Sequence, residues 1–458
     1  MTNSIFRDWI KTQFQDFHNY TKDLNATKEK KEILANIFKS ELSHGSLGAN
    51  GLFTFNAPFY DIENKRLMWV SRDRAGQNGA KFGANYFDMS DPLNPTYVGF
   101  TTFGLDNVGI IGDYNLRSIT KFGDYLYIIA RSKQANIPSD GMDNSSIWGA
   151  LVCANASDLS VVWTKTFNAK GDDVKIYKAT NGTIYMACGF QMSYIKFFTI
   201  NPNDYTDITL RDTHYTKQFK NVTGWENGYE DNVGEHQYGN FVEHDGHVLY
   251  ISCGFSDGVH IYDVTNIVTE SAVLYNYELP LVNNKPVHTF DCAIDYPYVY
   301  CTIAPNNPNK IAIEGVSGVL TLDISDLSNL QATYSTIPAE DICERGGGDW
   351  KPTTIAKHDN LLFLNNGEKG VATFMIVDHI PQYLGCYHIN DFTVGELTIT
   401  EQGILIIGES PEGMTHPNGS APTEEGSRLW RKDKQTFLLD VTGGIGSAKL
   451  LFKTLRNL

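Results

Sequence analysis

Apolar residues change their period along this chain. Between residues 4 and 43 they recur at three- and four-residue steps: Phe6, Ile10, Phe14, Phe17 and Leu24, then Leu34, Phe38 and Leu42, with Asp and Lys between them. Such spacing lays apolar side chains along one face of a helix. The Asn25-Ala-Thr segment between the two stretches suits a helix break and a new N-cap. The pattern predicts an α-helical hairpin within an N-terminal arm over residues 1–47. A segment of this size buries two apolar stripes poorly on its own. The arm is therefore expected to pack on the remainder of the chain, or to serve docking or self-association.

After residue 50 the helical period gives way to short runs of β-branched and aromatic residues broken by turn dipeptides. One hairpin pattern recurs seven times: YDIENKRLMWVS, ITKFGDYLYIIA, YKATNGTIYMAC, VEHDGHVLYISC, AIDYPYVYCTIA, IAKHDNLLFLNN and TITEQGILIIGE. The turns fall near Asn64, Gly123, Asn181, Asp245, Tyr296, Asp359 and Gln402, and Gly123-Asp, Asn181-Gly and Asp245-Gly supply the positive φ that a tight hairpin needs. A third strand follows, ending in aspartate in NYFDMSDPLNP (Asp88), HIYDVTN (Asp263), LTLDISDLSN (Asp323) and FLLDVTGG (Asp440). Fourth strands such as TYVGFTTF and VVWTKTF complete each unit. Units of four antiparallel strands cannot bury their faces alone, so the repeat predicts an all-β domain, a seven-bladed β-propeller over residues 48–458.

The segment Tyr86-Phe-Asp-Met-Ser-Asp-Pro-Leu-Asn-Pro-Thr-Tyr-Val-Gly99 follows the pattern aliphatic-x-Asp-(Val/Ile/Met)-(Ser/Thr)-(Asn/Asp)-x-x-x-Pro, then a short strand ending in Gly. In this the chain resembles the LVIVD-repeat propellers. The resemblance implies a propeller architecture and a cell-surface or exported setting, and it brings no catalytic residues with it.

Connection lengths are unequal. The turns between strands one and two, and between three and four, share one face of a propeller and are short here. The others share the opposite face and include the long segments 71–85, 131–149, 211–235, 338–349 and 408–433. Long connections without regular structure are commonly functional, which puts binding on that face. First strands line the central channel and begin there. Aligned on their hairpin turns, they predict a ring of Phe55, Tyr114, Asp172, His236, His288, Trp350 and Thr393, with Arg117, Asp173, Lys175, Tyr238, Asp291, Lys351 and Glu396 nearby.

Three readings of that ring compete. Its polar residues are hydrated channel lining with no further role. Or Tyr114, Asp172, Lys175, Trp350, Lys351 and Glu396 bind a carbohydrate or cell-surface receptor through aromatic faces and hydrogen bonds to hydroxyls. Or His236, His288, Tyr238 and Arg117 supply the acid, base and carboxylate clamp of a polysaccharide lyase or glycoside hydrolase. No cofactor is expected. A divalent metal would need His236, His288 and Asp291 or His214, which come from separate units without a compact HxxxH pair. The run ERGGGDW lacks a P-loop lysine, and Gly-Glu-Ser-Pro-Glu lacks the second glycine of a nucleophile elbow. Recognition is the reading adopted, extended to a virion or tail component that recognises a host surface. Catalysis and a protein-interaction scaffold are the alternatives.

Composition trims these options. The 458 residues carry a net charge of −16, which disfavours nucleic acid and anionic membranes. No apolar run approaches the length of a membrane span. The segment MTNSIFRDWIKTQFQDFHNY lacks an apolar h-region and a small-residue cleavage site, so cytoplasmic synthesis without a secretory leader is expected, with virion association or a non-classical export route thereafter. Seven cysteines with no CxxC pair, among them Cys188, Cys253 and Cys301 in strand-like runs, read as buried free thiols.

Overall fold

A computed structural model of the chain describes residues 40–43, 59–72, 82–90, 96–111, 114–132, 146–190, 194–215, 238–253, 258–279, 287–305, 316–342, 354–367, 369–387, 392–399, 404–411 and 436–440. Among them the strands form seven four-stranded antiparallel sheets. Sheet 1 runs Phe59–Asp61, Arg66–Arg72, Phe82–Asp88, Thr96–Thr101, and sheet 2 Tyr114–Phe122, Tyr125–Ser132, Gly149–Asn155, Val161–Phe167. Sheet 3 runs Gly171–Lys178, Ile184–Phe190, Tyr194–Asn201, Asp204–Tyr215, and sheet 4 Tyr238–His244, His247–Cys253, Gly258–Asp263, Val273–Glu278. Sheet 5 runs Val287–Asp295, Tyr298–Pro305, Gly318–Asp323, Gln331–Thr336, and sheet 6 Ile355–His358, Leu361–Asn365, Val371–Val377, Ile380–Tyr387. Sheet 7 runs Phe392–Ile399, Ile404–Pro411, Thr436–Asp440, and takes its fourth strand, Ser40–Ser43, from the other end of the sequence.

The second strands explain why their sequences read as continuous apolar runs. In Tyr125–Ser132, Leu126, Ile128 and Ala130 point into the cluster shared with sheet 1, while Tyr127 and Ile129 point into the cluster shared with sheet 3. Both faces are buried, so alternation disappears. Similar clusters lie between sheets 3 and 4, 4 and 5, and 5 and 6. The core is thus a series of layers between successive sheets. Outer strands such as Val161–Phe167 are half exposed, with Val161 and Val162 open to solvent.

The first strands face inward around one channel. A single cavity takes lining side chains from all seven of them, among them Phe59, Arg117, Lys175, Tyr238, Asp291, Ile355 and Leu397. Radial sheets around a common channel make the chain a β-propeller.

The predicted third-strand aspartates sit where the sequence placed them. Asp88, Asp263 and Asp323 end their strands, and each Oδ1 accepts the backbone N–H two residues on, from Ser90 (2.8 Å), Thr265 (3.0 Å) and Ser325 (2.9 Å). The Asp-x-Ser/Thr part of the repeat is therefore a turn-closing device, an Asx turn. Connection lengths are also as expected. Two residues separate Phe122 from Tyr125 on one face, whereas 22 separate Tyr215 from Tyr238 and 24 separate Pro411 from Thr436 on the other.

The helical arm needs a correction at its end. Residues 40–43, which the apolar period assigned to a helix, form a strand antiparallel to Thr436–Asp440, with Ser40 opposite Asp440 and Ser43 opposite Leu438. The unpaired edge of that strand offers backbone hydrogen bonds that outweigh a weak local helical preference. The other residues of the predicted hairpin lie outside the described residues. Among the described residues no helix is long and apolar enough to cross a membrane. Cys188, Cys253 and Cys301 are free and buried, with the Sγ atoms of Cys253 and Cys301 3.4 Å apart.

Candidate functional site

Four of the first strands carry a register shift, between Leu116 and Ser118, Gly171 and Asp173, Thr289 and Cys292, and Val394 and Glu396. A β-bulge inserts an extra residue and re-aims the neighbouring side chains. The residues at three of these shifts include Arg117, Asp172 and Asp291, which reach across to adjacent sheets.

Around Asp172 the bonding is dense. Asp172 is fully buried, and its Oδ1 receives Arg131 Nη1 at 2.7 Å and lies 3.5 Å from Arg117 Nε. Arg117 also donates from Nη2 to the Tyr238 hydroxyl at 2.7 Å, which links sheet 2 to sheet 4 across the channel. Lys170 is buried close by, with its ammonium 5.6 Å from the centre of the Trp148 ring. Burial, and then the neighbouring Arg117, pull Arg131 down to about 10, against the opposing pull of Asp172. Burial and Arg131 likewise pull Lys170 down to about 8.

One level further in, Asp173 Oδ1 accepts from Ser118 Oγ at 2.6 Å and its Oδ2 accepts the Gly239 N–H at 3.1 Å, which joins sheets 2, 3 and 4. Lys175 Nζ stands 3.5 Å from Asp173 Oδ1. Burial works against the Lys175 charge, but Asp173 and Asp291 outweigh it and raise its pKa. Asp291 accepts the N–H groups of Cys292 (2.8 Å) and Ile355 (3.2 Å), the second from sheet 6. Burial pushes the Asp291 carboxyl up to about 6, although Lys175 and both N–H groups favour its charged form. Asn240 Nδ2 donates to Cys292 O at 2.7 Å, and Leu397 N donates to Thr354 Oγ1 at 3.3 Å. The channel wall is thus stitched sheet to sheet by side chain hydrogen bonds.

The residues read from the sequence separate into groups. Arg117, Tyr238 and Lys175 line the cavity together with Asp173 and Asp291. Asp172 stands behind them as the partner of two arginines. Tyr114 is 7% exposed, packed in the cluster between sheets 1 and 2 with its hydroxyl donating to Asp106 at 2.9 Å, so it offers no open stacking face. His288 is buried with its ring stacked on Phe290, centroids 4.3 Å apart, and is not among the residues lining the cavity. His214 bonds Ala272 O at 2.9 Å and packs edge-on to Tyr262, in the outer part of sheets 3 and 4. His236, Trp350 and Lys351 lie outside the described residues, as do the side chains of Thr393 and Glu396. Among the described residues no group of three His, Cys, Asp or Glu is arranged to hold a metal ion.

Sequence reasoning missed Arg131, Ser118 and Asn240. Arg131 carries a readable signal, a cation ending the apolar run LYIIA. Ser118 carries none, because counting back from the hairpin turn takes no account of the bulge at Arg117, whereas Asn240 lies on an unbulged strand two residues on from Tyr238, on the same face.

No protein-family model matches the chain, and no curated protein matches it significantly. Among solved structures it is similar to Saccharomyces cerevisiae Sqt1, at 10% identity over 81% of this chain and 83% of that one, TM-score 0.47. It is also similar to the Neurospora crassa Pan2 WD40 domain, at 11% identity over 88% of this chain and 95% of that one, TM-score 0.48. A third is the Myceliophteria thermophila Cps50 (Swd1) beta-propeller domain, at 9% identity over 86% of this chain and 100% of that one, TM-score 0.45. Likeness at this level says nothing of what the chain binds.

Proposed function

We propose that the seven sheets are seven blades of a closed propeller, with a repeat of the LVIVD kind, and that the chain is a non-catalytic scaffold holding a protein partner on its long-connection face. One observation carries the reading. The groups that would perform acid–base chemistry are tied from one sheet to another: Arg117 to Tyr238 and Asp172, Asp173 to Ser118 and the Gly239 N–H, Asp291 to the Ile355 N–H. Such bonds fix the relative positions of the blades, and a rigid ring is what a scaffold requires. The long connections, which vary in length and sequence from blade to blade, are left to make the contacts.

The test separates scaffold from enzyme. Incubation of the full chain with a panel of polysaccharides, followed by absorbance of unsaturated uronates and by reducing ends, is expected to give no product. Cross-linking in a cell extract followed by mass spectrometry should map a protein partner onto segments 131–149 and 408–433. Replacing either segment by a short Gly/Ser connector is expected to abolish that cross-link, while His236→Ala and Trp350→Ala leave it unchanged. Turnover of any polysaccharide would overturn the reading.

A further inference from the structure

The cavity inside the channel has a volume of about 580 Å³, within the range that seats a small ligand. Its wall is divided chemically. Sheets 3, 4 and 5 contribute Asp173, Lys175, Tyr238, Asn240 and Asp291 beside a few apolar groups such as Ile294, whereas sheets 6, 7 and 1 contribute mostly apolar groups, Ile355, Leu397 and Phe59 among them, with Lys357 as their one charge among the described residues.

The polar side is held ready without being used up. The Lys175 side chain is 34% exposed, so solvent reaches it inside the channel. Among the described residues its salt bridge is to Asp173, at 3.5 Å longer than a charge-assisted hydrogen bond, so its three donors are weakly engaged there. Asp291 is anchored by two backbone N–H groups, which fix the carboxylate while each oxygen keeps a second lone pair. Asn240 spends its Nδ2 on Cys292 O and keeps its amide oxygen.

Among the described residues the charges on the wall nearly cancel, Arg117, Lys175 and Lys357 standing against Asp173 and Asp291. Asp172 stands behind Arg117, Asp295 Oδ2 lies 3.0 Å from Lys357 Nζ, and Lys175 feels the charges of both Asp173 and Asp291. A strongly anionic or cationic ligand gains little from such a wall. A hydroxyl group both donates and accepts, so alternating ammonium, amide and carboxylate groups suit it. The C–H face of a sugar ring would meet the apolar side.

We propose that the channel binds an uncharged sugar of one or two rings, with Lys175 donating to, and Asp291 accepting from, neighbouring hydroxyls and Phe59 lying on the apolar side. This site is distinct from the long-connection face, and it does not depend on the partner reading.

The experiment is saturation-transfer NMR and titration calorimetry on the full chain. The probes are glucose, galactose, mannose, N-acetylglucosamine and lactose, with glucuronate as the charged control. At least one neutral probe is expected to bind. Lys175→Gln and Asp291→Asn should each weaken it about ten-fold or more, the scale of a lost charge-assisted hydrogen bond. Tyr238→Phe, which removes a single hydroxyl, serves where either of those variants fails to fold, and it too should weaken binding. Absence of transfer from every neutral probe, binding that survives the substitutions unchanged, or a clear preference for glucuronate would overturn the proposal. None of these outcomes bears on cross-linking at segments 131–149 and 408–433.

Discussion

Asp61 and Asp291 are carboxylates on first strands, and they shift in opposite directions. Burial alone would raise Asp61, but hydrogen bonds from Lys121 (2.8 Å) and Asn64 outweigh it and hold it below the usual carboxylate range. Its stabilisation is therefore present above that range and lost as the pH falls through it. Asp291 lies on the other side of the balance. With its carboxyl pushed up to about 6, the folded protein takes up a proton between about pH 4 and pH 6 that the unfolded chain does not. The Asp291 contribution to stability thus falls as pH rises through that window. Asp291→Asn is expected to flatten this slope, so the variant gains on the wild type by about 1–2 kcal/mol from pH 4 to pH 7, less than the full shift because water reaches the channel. Urea unfolding of both proteins across that range measures it, and parallel curves would show that Asp291 does not titrate there.

Strands and turns were the most legible elements. Runs such as LYIIA and IYMAC mark second strands because both of their faces are buried, and Asp88, Asp263 and Asp323 mark third-strand ends because their carboxylates close the next turn. The bulges were not legible. One extra residue at Arg117, Asp172 or Asp291 changes which side chains meet across sheets without altering the apolar pattern, so the partnership of Ser118 with Asp173 cannot be counted from the hairpin turn. His288 sits just before the bulge of its strand. Its strand position faces the channel mouth in a regular count, but its ring packs on Phe290 instead. Third strands also carry glycines with a purpose. A Cβ on Gly258, at φ 157°, would lie 2.1 Å from the Tyr277 carbonyl oxygen, and Gly318 meets Ser335 in the same way. Gly258→Ala is expected to cost about 2–4 kcal/mol, since backbone must move to admit the methyl group. Chemical denaturation would register the loss, and a variant as stable as the wild type would show that the fourth strand yields easily.

At the scale of the molecule, the joint between Ser40–Ser43 and Thr436–Asp440 matters most, and it was the feature least visible beforehand. A four-residue strand is too short to announce itself within a segment of helical period. The pairing takes its meaning from a partner at the far end of the sequence. Removal of residues 1–43 is expected to lower stability by about 3 kcal/mol, roughly one for each lost residue pairing, and to promote association through the bared edge of Thr436–Asp440. Removal of residues 1–36 keeps the strand and serves as the control. Thermal unfolding and size-exclusion chromatography compare the two.

The same joint sets a timetable for biogenesis. Ser43 pairs with Leu438, so roughly 400 residues must leave the ribosome between the making of the first half of the joint and the arrival of the second. At about 5–20 residues per second that interval is about 20–80 s. During it the early segment stays attached to a growing series of sheets with no partner edge to join. Chaperones that hold extended apolar chains have their longest opportunity at this end, and a translational pause before Thr436 would prolong it.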